Sequence, residues 1–106
     1  MFDLIYIAQP FGGDFENVEE AEKLLNMLTF EYPDKCFVSP VLSFGSLYHE
    51  LSYDDGMKLC YSLLNKCDEL WYFGLSKGVR LEIDYAERNG IRVLNGKQRH
   101  NQSIKE

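Results

Sequence analysis

The order of apolar runs and helical stripes in this chain predicts an α/β domain: a small three-layer fold with a four-stranded parallel sheet. Three observations carry that prediction. Short runs rich in β-formers, at residues 4–8, 36–38, 68–73 and 91–94, alternate with stretches whose apolar residues recur at helical spacing. The run at 68–73, Asp-Glu-Leu-Trp-Tyr-Phe, is largely apolar and ends at Gly74, as suits a strand covered on both faces. The resulting β-α-β-α-β-α-β alternation needs crossover helices, and these place a parallel sheet between two helical layers.

Each element has a local reason. Leu4-Ile5-Tyr6-Ile7-Ala8 is the first strand and Pro10 ends it; Phe11-Gly12-Gly13-Asp14 follows as a loop whose glycines let backbone amides approach a ligand, or simply make a tight turn. Asp14 or Asn17 caps the first helix, the latter with Glu20 in a capping-box arrangement. Val18, Ala21, Leu24, Leu25 and Leu28 form its inward stripe, and Tyr32-Pro33-Asp34 breaks it. The second strand, 36–38, runs into Ser39-Pro40. Residues 41–53 show no clean period and contain Phe44, Tyr48, His49 and Tyr53, so this long segment is expected to be a loop, either an aromatic lid or a surface plug. Asp54 or Asp55 then caps a helix to about residue 66, with Met57, Cys60, Leu63, Leu64 and Cys67 inward. After the third strand, Ser76 caps a helix over residues 77–89 with Gly90 as its stop signal, and 91–94 is the last strand. The domain is thus expected over 1–94, and the polar residues 95–106 as a mobile tail.

Right-handed crossovers with helices on both faces favour strand order 2-1-3-4, a reduced flavodoxin/Rossmann-like arrangement. Its switch point lies between the first and third strands. The loops at 9–14 and 74–78 become the walls of a crevice, with Glu82 below them. Val79, Ile83 and Ala86 form the sheet-facing stripe of that helix, and Glu82 stands on its edge. A helix glutamate is often solvated, here paired with Lys77 or Arg80; near a strand's carboxyl end it is also a candidate chemical group.

Composition excludes several functions. With 106 residues, 45% hydrophobic and 14% aromatic, the chain can bury one modest core. Net charge is −6, from 17 acidic and 11 basic residues, and no basic run occurs, which argues against a nucleic-acid duplex as partner. The glycine loop lacks the G-x-G-x-x-G spacing of a dinucleotide site. Cys36, Cys60 and Cys67 have no metal-ligand spacing and sit in apolar patterns, as core thiols do in a reducing compartment. No bound metal or cofactor is expected. With no apolar run of membrane-spanning length and no signal-like opening, the expected location is the cytoplasm.

Ser76, Gly78, Val79 and Glu82, in the order S-x-G-V-x-x-E, resemble the nucleophile segment of the nucleoside 2-deoxyribosyltransferase superfamily, which includes deoxynucleoside-monophosphate N-glycosidases. Tyr6-Ile7-Ala8-Gln9-Pro10-Phe11-Gly12-Gly13 with Asn17 and Ala21 is similar to that superfamily's opening strand, glycine loop and first helix. Ser39-Pro40, and Leu63-Leu64 before Cys67-Asp68, fall in its order, so the resemblance spans about residues 4–94 and is nearest to a small branch common in phage and bacterial genomes.

The resemblance implies that Glu82 is the nucleophile and that Tyr6 lies near the sugar. Gln9, Pro10, Phe11, Gly12, Gly13, Ser76, Gly78, Val79 and Arg80 would bind substrate, and Phe44, Tyr48, His49 and Asp54 would contact the base or close over it. It also implies an N-glycosidic hydrolase or transferase acting on a nucleoside, a nucleotide or an ADP-ribose-type signal, assembled as a homodimer or larger homo-oligomer. The alternative is a nucleotide-binding module without the chemistry. Two departures bear on that choice. Cys60 stands where the superfamily often has an aspartate that assists the base, and Gln9 replaces a small glycine.

Overall fold

The structure, a computed structural model, describes residues 2–98. Its sheet has four strands, β1 (Asp3–Ala8), β2 (Lys35–Val38), β3 (Glu69–Tyr72) and β4 (Arg92–Asn95), all parallel, in the order β2-β1-β3-β4. The predicted fold is the observed one. Of the expected tail, Asn95 instead closes β4 and residues 96–98 turn helical; residues 99–106 lie outside the described residues.

The alternation of β1 sends its side chains into two interiors. Ile5 and Ile7 join Phe37, Trp71 and Leu28 on the side of α1 (Phe15–Glu31). Tyr6 and Ala8 join Leu70, Leu64, Val79 and Ala86 on the side of α3 (Tyr53–Leu64) and α4 (Lys77–Arg88). Each such buried aliphatic or aromatic side chain contributes about 1.5–3 kcal/mol relative to exposure. Asp68 ties the strands at their entry: its carboxylate accepts from Leu4 N–H at 2.7 Å, the structural role its position suggests.

Of the two caps expected for α1, Asp14 is the one observed: it accepts from Glu16 N–H, while Asn17 donates its amide to the Phe11 carbonyl at 2.7 Å and so pins the glycine loop. The start of α3 differs from expectation. Ser52, not Asp54 or Asp55, caps α3; its hydroxyl accepts from Asp55 N–H, which leaves both aspartates in the first turn beside the positive helix end. The segment 41–53 is not a plain loop either. Ser39 caps a short helix, α2 (Pro40–Phe44), with Pro40 at its first turn, followed by a 3-10 turn at Gly45–Leu47. Among the described residues, no helix is long and apolar enough to cross a membrane.

Candidate functional site

The carboxyl ends of β1 and β3 open into a cavity of about 580 Å³, a size suited to a nucleoside-sized molecule. β1 runs out into Gln9, Pro10, Phe11 and Gly12 on one wall. β3 runs out through Gly74 to Ser76, Lys77 and Gly78 at the start of α4 on the other. The walls approach closely near Gly74, which takes φ +95°; a Cβ there would lie 3.3 Å from Pro10 Cδ. Ser76 caps α4 by accepting from Val79 N–H at 3.2 Å, which leaves the first amides of a 12-residue helix at the cavity wall.

Glu82 forms part of the cavity lining. It is 4% exposed and lies on the buried face of α4 with Val79 and Ala86, while Ile83 is only partly buried. The residue expected at the edge of the stripe therefore occupies its middle. The solvated reading, with Lys77 or Arg80 as partner, does not hold. Its partner is Tyr6, whose hydroxyl donates to Glu82 Oε2 from the centre of β1. Burial pushes the Glu82 carboxyl up to about 7, and the Tyr6 hydrogen bond pulls against that rise. Tyr6 itself is driven well above the usual phenol range, first by burial and next by the negative charge of Glu82. Cys60 completes the cluster from α3; burial and then Glu82 push its thiol up to about 11.

Aromatic groups from the α2–α3 segment close the opposite side. Phe11 meets Tyr48 edge-on at 5.3 Å, and Phe44, Leu47, Tyr48 and Tyr53 line the cavity. Tyr48 is seated over Gly13, where φ is +79° and a Cβ would fall 2.7 Å from the Tyr48 ring. Lys77 carries its ammonium 5.1 Å from the centroid of the Tyr53 ring. Gln9 also lines the cavity, and its Oε1 is buried without a hydrogen-bond partner. A buried, unsatisfied amide oxygen costs about 1–3 kcal/mol.

Of the residues singled out from the sequence, Gln9, Pro10, Phe11, Gly12, Phe44, Tyr48, Ser76, Gly78, Val79 and Glu82 line this one cavity, with Tyr6 directly behind Glu82. Four do not. Gly13 and His49 border a separate depression on the far side of Tyr48. Arg80 is exposed, because one residue turns a helix by about 100° and carries it off the face that Val79 holds. Asp54 is exposed in the first turn of α3 and faces away from the cavity lining. Among the described residues, the cation that lines the cavity is Lys77 instead.

Tyr53, one of the aromatics expected in the 41–53 segment, lines the cavity; the sequence did not point to Ser52, Gly56 and Leu59, which bring α3 against it, or to Pro40, Val41, Gly45 and Leu51 before them. The usable signals were Ser39-Pro40 and Ser52 three residues before Asp55, both helix-start patterns. Among the described residues, no cluster of three or more His, Cys, Asp or Glu side chains could hold a metal ion.

A sequence model of a family described as a domain of unknown function (DUF7768) matches residues 3–95, which takes in every strand and every residue of the cavity. No curated protein matches the chain.

Proposed function

The chain belongs to the DUF7768 family, and from the geometry of its site we propose that it breaks the N-glycosidic bond of a nucleoside or nucleotide with Glu82 as nucleophile. The observation that carries this reading is the burial of a carboxylate in the wall of a nucleoside-sized cavity, held by a tyrosine and placed at the switch point of a parallel sheet. A glycosidic bond to nitrogen breaks with positive charge growing at C1′, and a carboxylate short of solvent is well placed to stabilise and then trap that centre. Tyr6 occupies Oε2 and so orients the group, leaving Oε1 for the sugar. Ser76, the Gly78 amide and Lys77 at the start of α4 suit a 5′-hydroxyl or 5′-phosphate. Phe11, Phe44, Tyr48 and Tyr53 offer faces for a base, where stacking is worth about 1–3 kcal/mol.

Transfer to a second base and hydrolysis share the first half of this chemistry, and an ADP-ribose-type nucleotide signal carries the same bond. Two further parts of the proposal rest on other features. Leu47, Tyr48 and Tyr53 are exposed although they line the cavity, which supports a homo-oligomer whose second copy covers the mouth; a monomer by light scattering would contradict it. Cys36, Cys60 and Cys67 are free thiols, which supports a cytoplasmic setting.

The test is incubation with deoxynucleosides, ribonucleosides, their monophosphates and NAD, with released base followed by mass spectrometry. Base release should fall by about 10³-fold or more in Glu82→Gln. Equal rates in the two proteins would remove Glu82 from the chemistry. A second reading, a binding module that sequesters a nucleotide, is favoured by one observation: Cys60, a poor acid, stands beside Tyr6 and Glu82. Thermal stabilisation by a nucleotide with no base release would establish it.

A further inference from the structure

Resting on the glycosidase reading, we propose that the substrate is a cationic N-glycoside, in which the glycosidic nitrogen belongs to a positively charged ring such as a pyridinium, so that the base departs neutral and needs no proton.

The inference comes from what the cavity can and cannot donate. Among the described residues, Glu82 is the single carboxylate that lines the cavity, and no histidine lines it. The other polar side chains there are Gln9, Ser52, Ser76, Tyr48, Tyr53, Cys60 and Lys77. The Gln9 amide and the Ser52 and Ser76 alcohols hold their protons too tightly to act as general acids, burial raises Tyr53, and the Cys60 thiol stands at about 11. The Tyr6 proton is already engaged with Glu82. His49 lies beyond Tyr48 and Asp54 faces solvent, so neither supplies the missing acid. A neutral purine or pyrimidine nucleoside would have to expel its base as an anion into this apolar space, where an unpaired charge is costly.

A cationic ring reverses that balance. It brings its positive charge to a buried carboxylate and to the rings of Phe11, Phe44 and Tyr48, whose faces attract cations. Lys77 already demonstrates the preference of the Tyr53 face, at 5.1 Å from its centroid. Lys77 begins α4 five residues before Glu82, so their Cα atoms stand about 7.5 Å apart along the helix axis. The proposal assigns its ammonium, held at the Tyr53 ring, to the 5′ side of the substrate.

The step balances without an acid. As a Glu82 oxygen bonds to C1′, the C1′–N bond breaks and its electron pair moves onto the ring nitrogen, cancelling the ring's charge. Water then bonds to C1′ as the glycosyl–Glu82 ester bond breaks, its proton passes to solvent, and the carboxylate is restored.

The experiment compares nicotinamide riboside and its 5′-monophosphate with their 1,4-dihydro forms, which keep the same sugar but carry an uncharged nitrogen, and with adenosine, guanosine and their 2′-deoxy analogues. Each rate is divided by the uncatalysed rate of the same compound, which removes the intrinsic lability of charged glycosides. The enhancement should be at least 100-fold larger for the charged compounds. Equal or larger enhancement for the neutral ones would overturn the inference while leaving the glycosidase reading intact; no release from any compound would remove both. Cys60→Asp supplies an acid beside Tyr6 and should raise the neutral-to-cationic ratio at least 10-fold. A folded Cys60→Asp protein with an unchanged ratio would count against the inference.

Discussion

Alternate residues of β1 enter interiors built in opposite ways. On the α1 side, Ile5 and Ile7 meet Leu28, Phe37 and Trp71, and the rings of Tyr32, Phe37 and Trp71 pack edge-on at 5.3–6.2 Å. Trp71 satisfies its one polar atom by donating Nε1–H to Glu69 at 2.9 Å. On the α3–α4 side, Tyr6 carries a hydroxyl to the middle of the domain, and Glu82 is buried against it beside an open cavity. The first interior is close-packed and apolar. The second holds an ionisable group that burial disfavours. The difference indicates that one half of the molecule supplies the stability that lets the other half keep a buried carboxylate.

The comparison is broken most severely by Trp71→Ala, which should cost about 3–5 kcal/mol in urea unfolding, the range for removing a buried aromatic. A loss below about 1 kcal/mol would mean that the α1 side does not carry the domain.

Glu82→Gln should act in the opposite direction and depend on pH. The folded-state value of Glu82, about 7, lies above an unfolded carboxyl near 4.5. Below about 4.5 the group is protonated in both states and costs nothing. As pH rises from there to about 7 the unfolded chain ionises first, so stability falls, and above 7 the loss is complete at about 3 kcal/mol. The glutamine variant should therefore equal the parent protein near pH 4.5 and exceed its stability at pH 8. A constant difference across that window would show that Glu82 is not titrating as a buried acid.

Tyr6→Phe removes the hydroxyl that lowers the Glu82 value. Turnover that needs an ionised Glu82 should rise through about pH 7 in the parent protein, and its midpoint should move alkaline by about one unit in the variant, the scale of a hydrogen bond to a charged group. An unmoved midpoint in a folded variant would separate Tyr6 from the carboxylate's titration.

The smallest expected effect is at Gly13, against the Tyr48 ring. Gly13→Ala forces a positive φ on alanine and drives a Cβ toward the Tyr48 ring, so it should cost about 1 kcal/mol and weaken nucleotide binding by displacing Tyr48. Neutral stability with unchanged binding would show that Tyr48 does not shape the cavity.

The sheet order and three of the four helices were legible because their patterns are long enough to reveal a period. The 41–53 segment was not. Neither a five-residue helix nor the three-residue 3-10 turn that follows it reaches two helical periods, so Ser39-Pro40 was the one sign of them. Glu82 was legible as a candidate, since it stands in the second turn of a helix that starts near a strand's carboxyl end and closes the S-x-G-V-x-x-E pattern. Its burial was not, because only the Tyr6 hydroxyl arriving from another element makes a buried carboxylate tolerable. Much of the cavity wall from α3 was hidden for the same reason: Ser52, Gly56 and Leu59 belong to it through tertiary packing, and nothing local distinguishes them.

The most direct test of the account is to quench the reaction of a slow 2-fluoro glycoside substrate and map the adduct by peptide mass spectrometry. Cleavage after Arg80 and Arg88 isolates the peptide 81–88, Leu-Glu-Ile-Asp-Tyr-Ala-Glu-Arg. The account predicts a glycosyl ester on Glu82 that accumulates as base is released and disappears in Glu82→Gln. Base release with no adduct on that peptide, or an adduct on Glu87 instead, would contradict it.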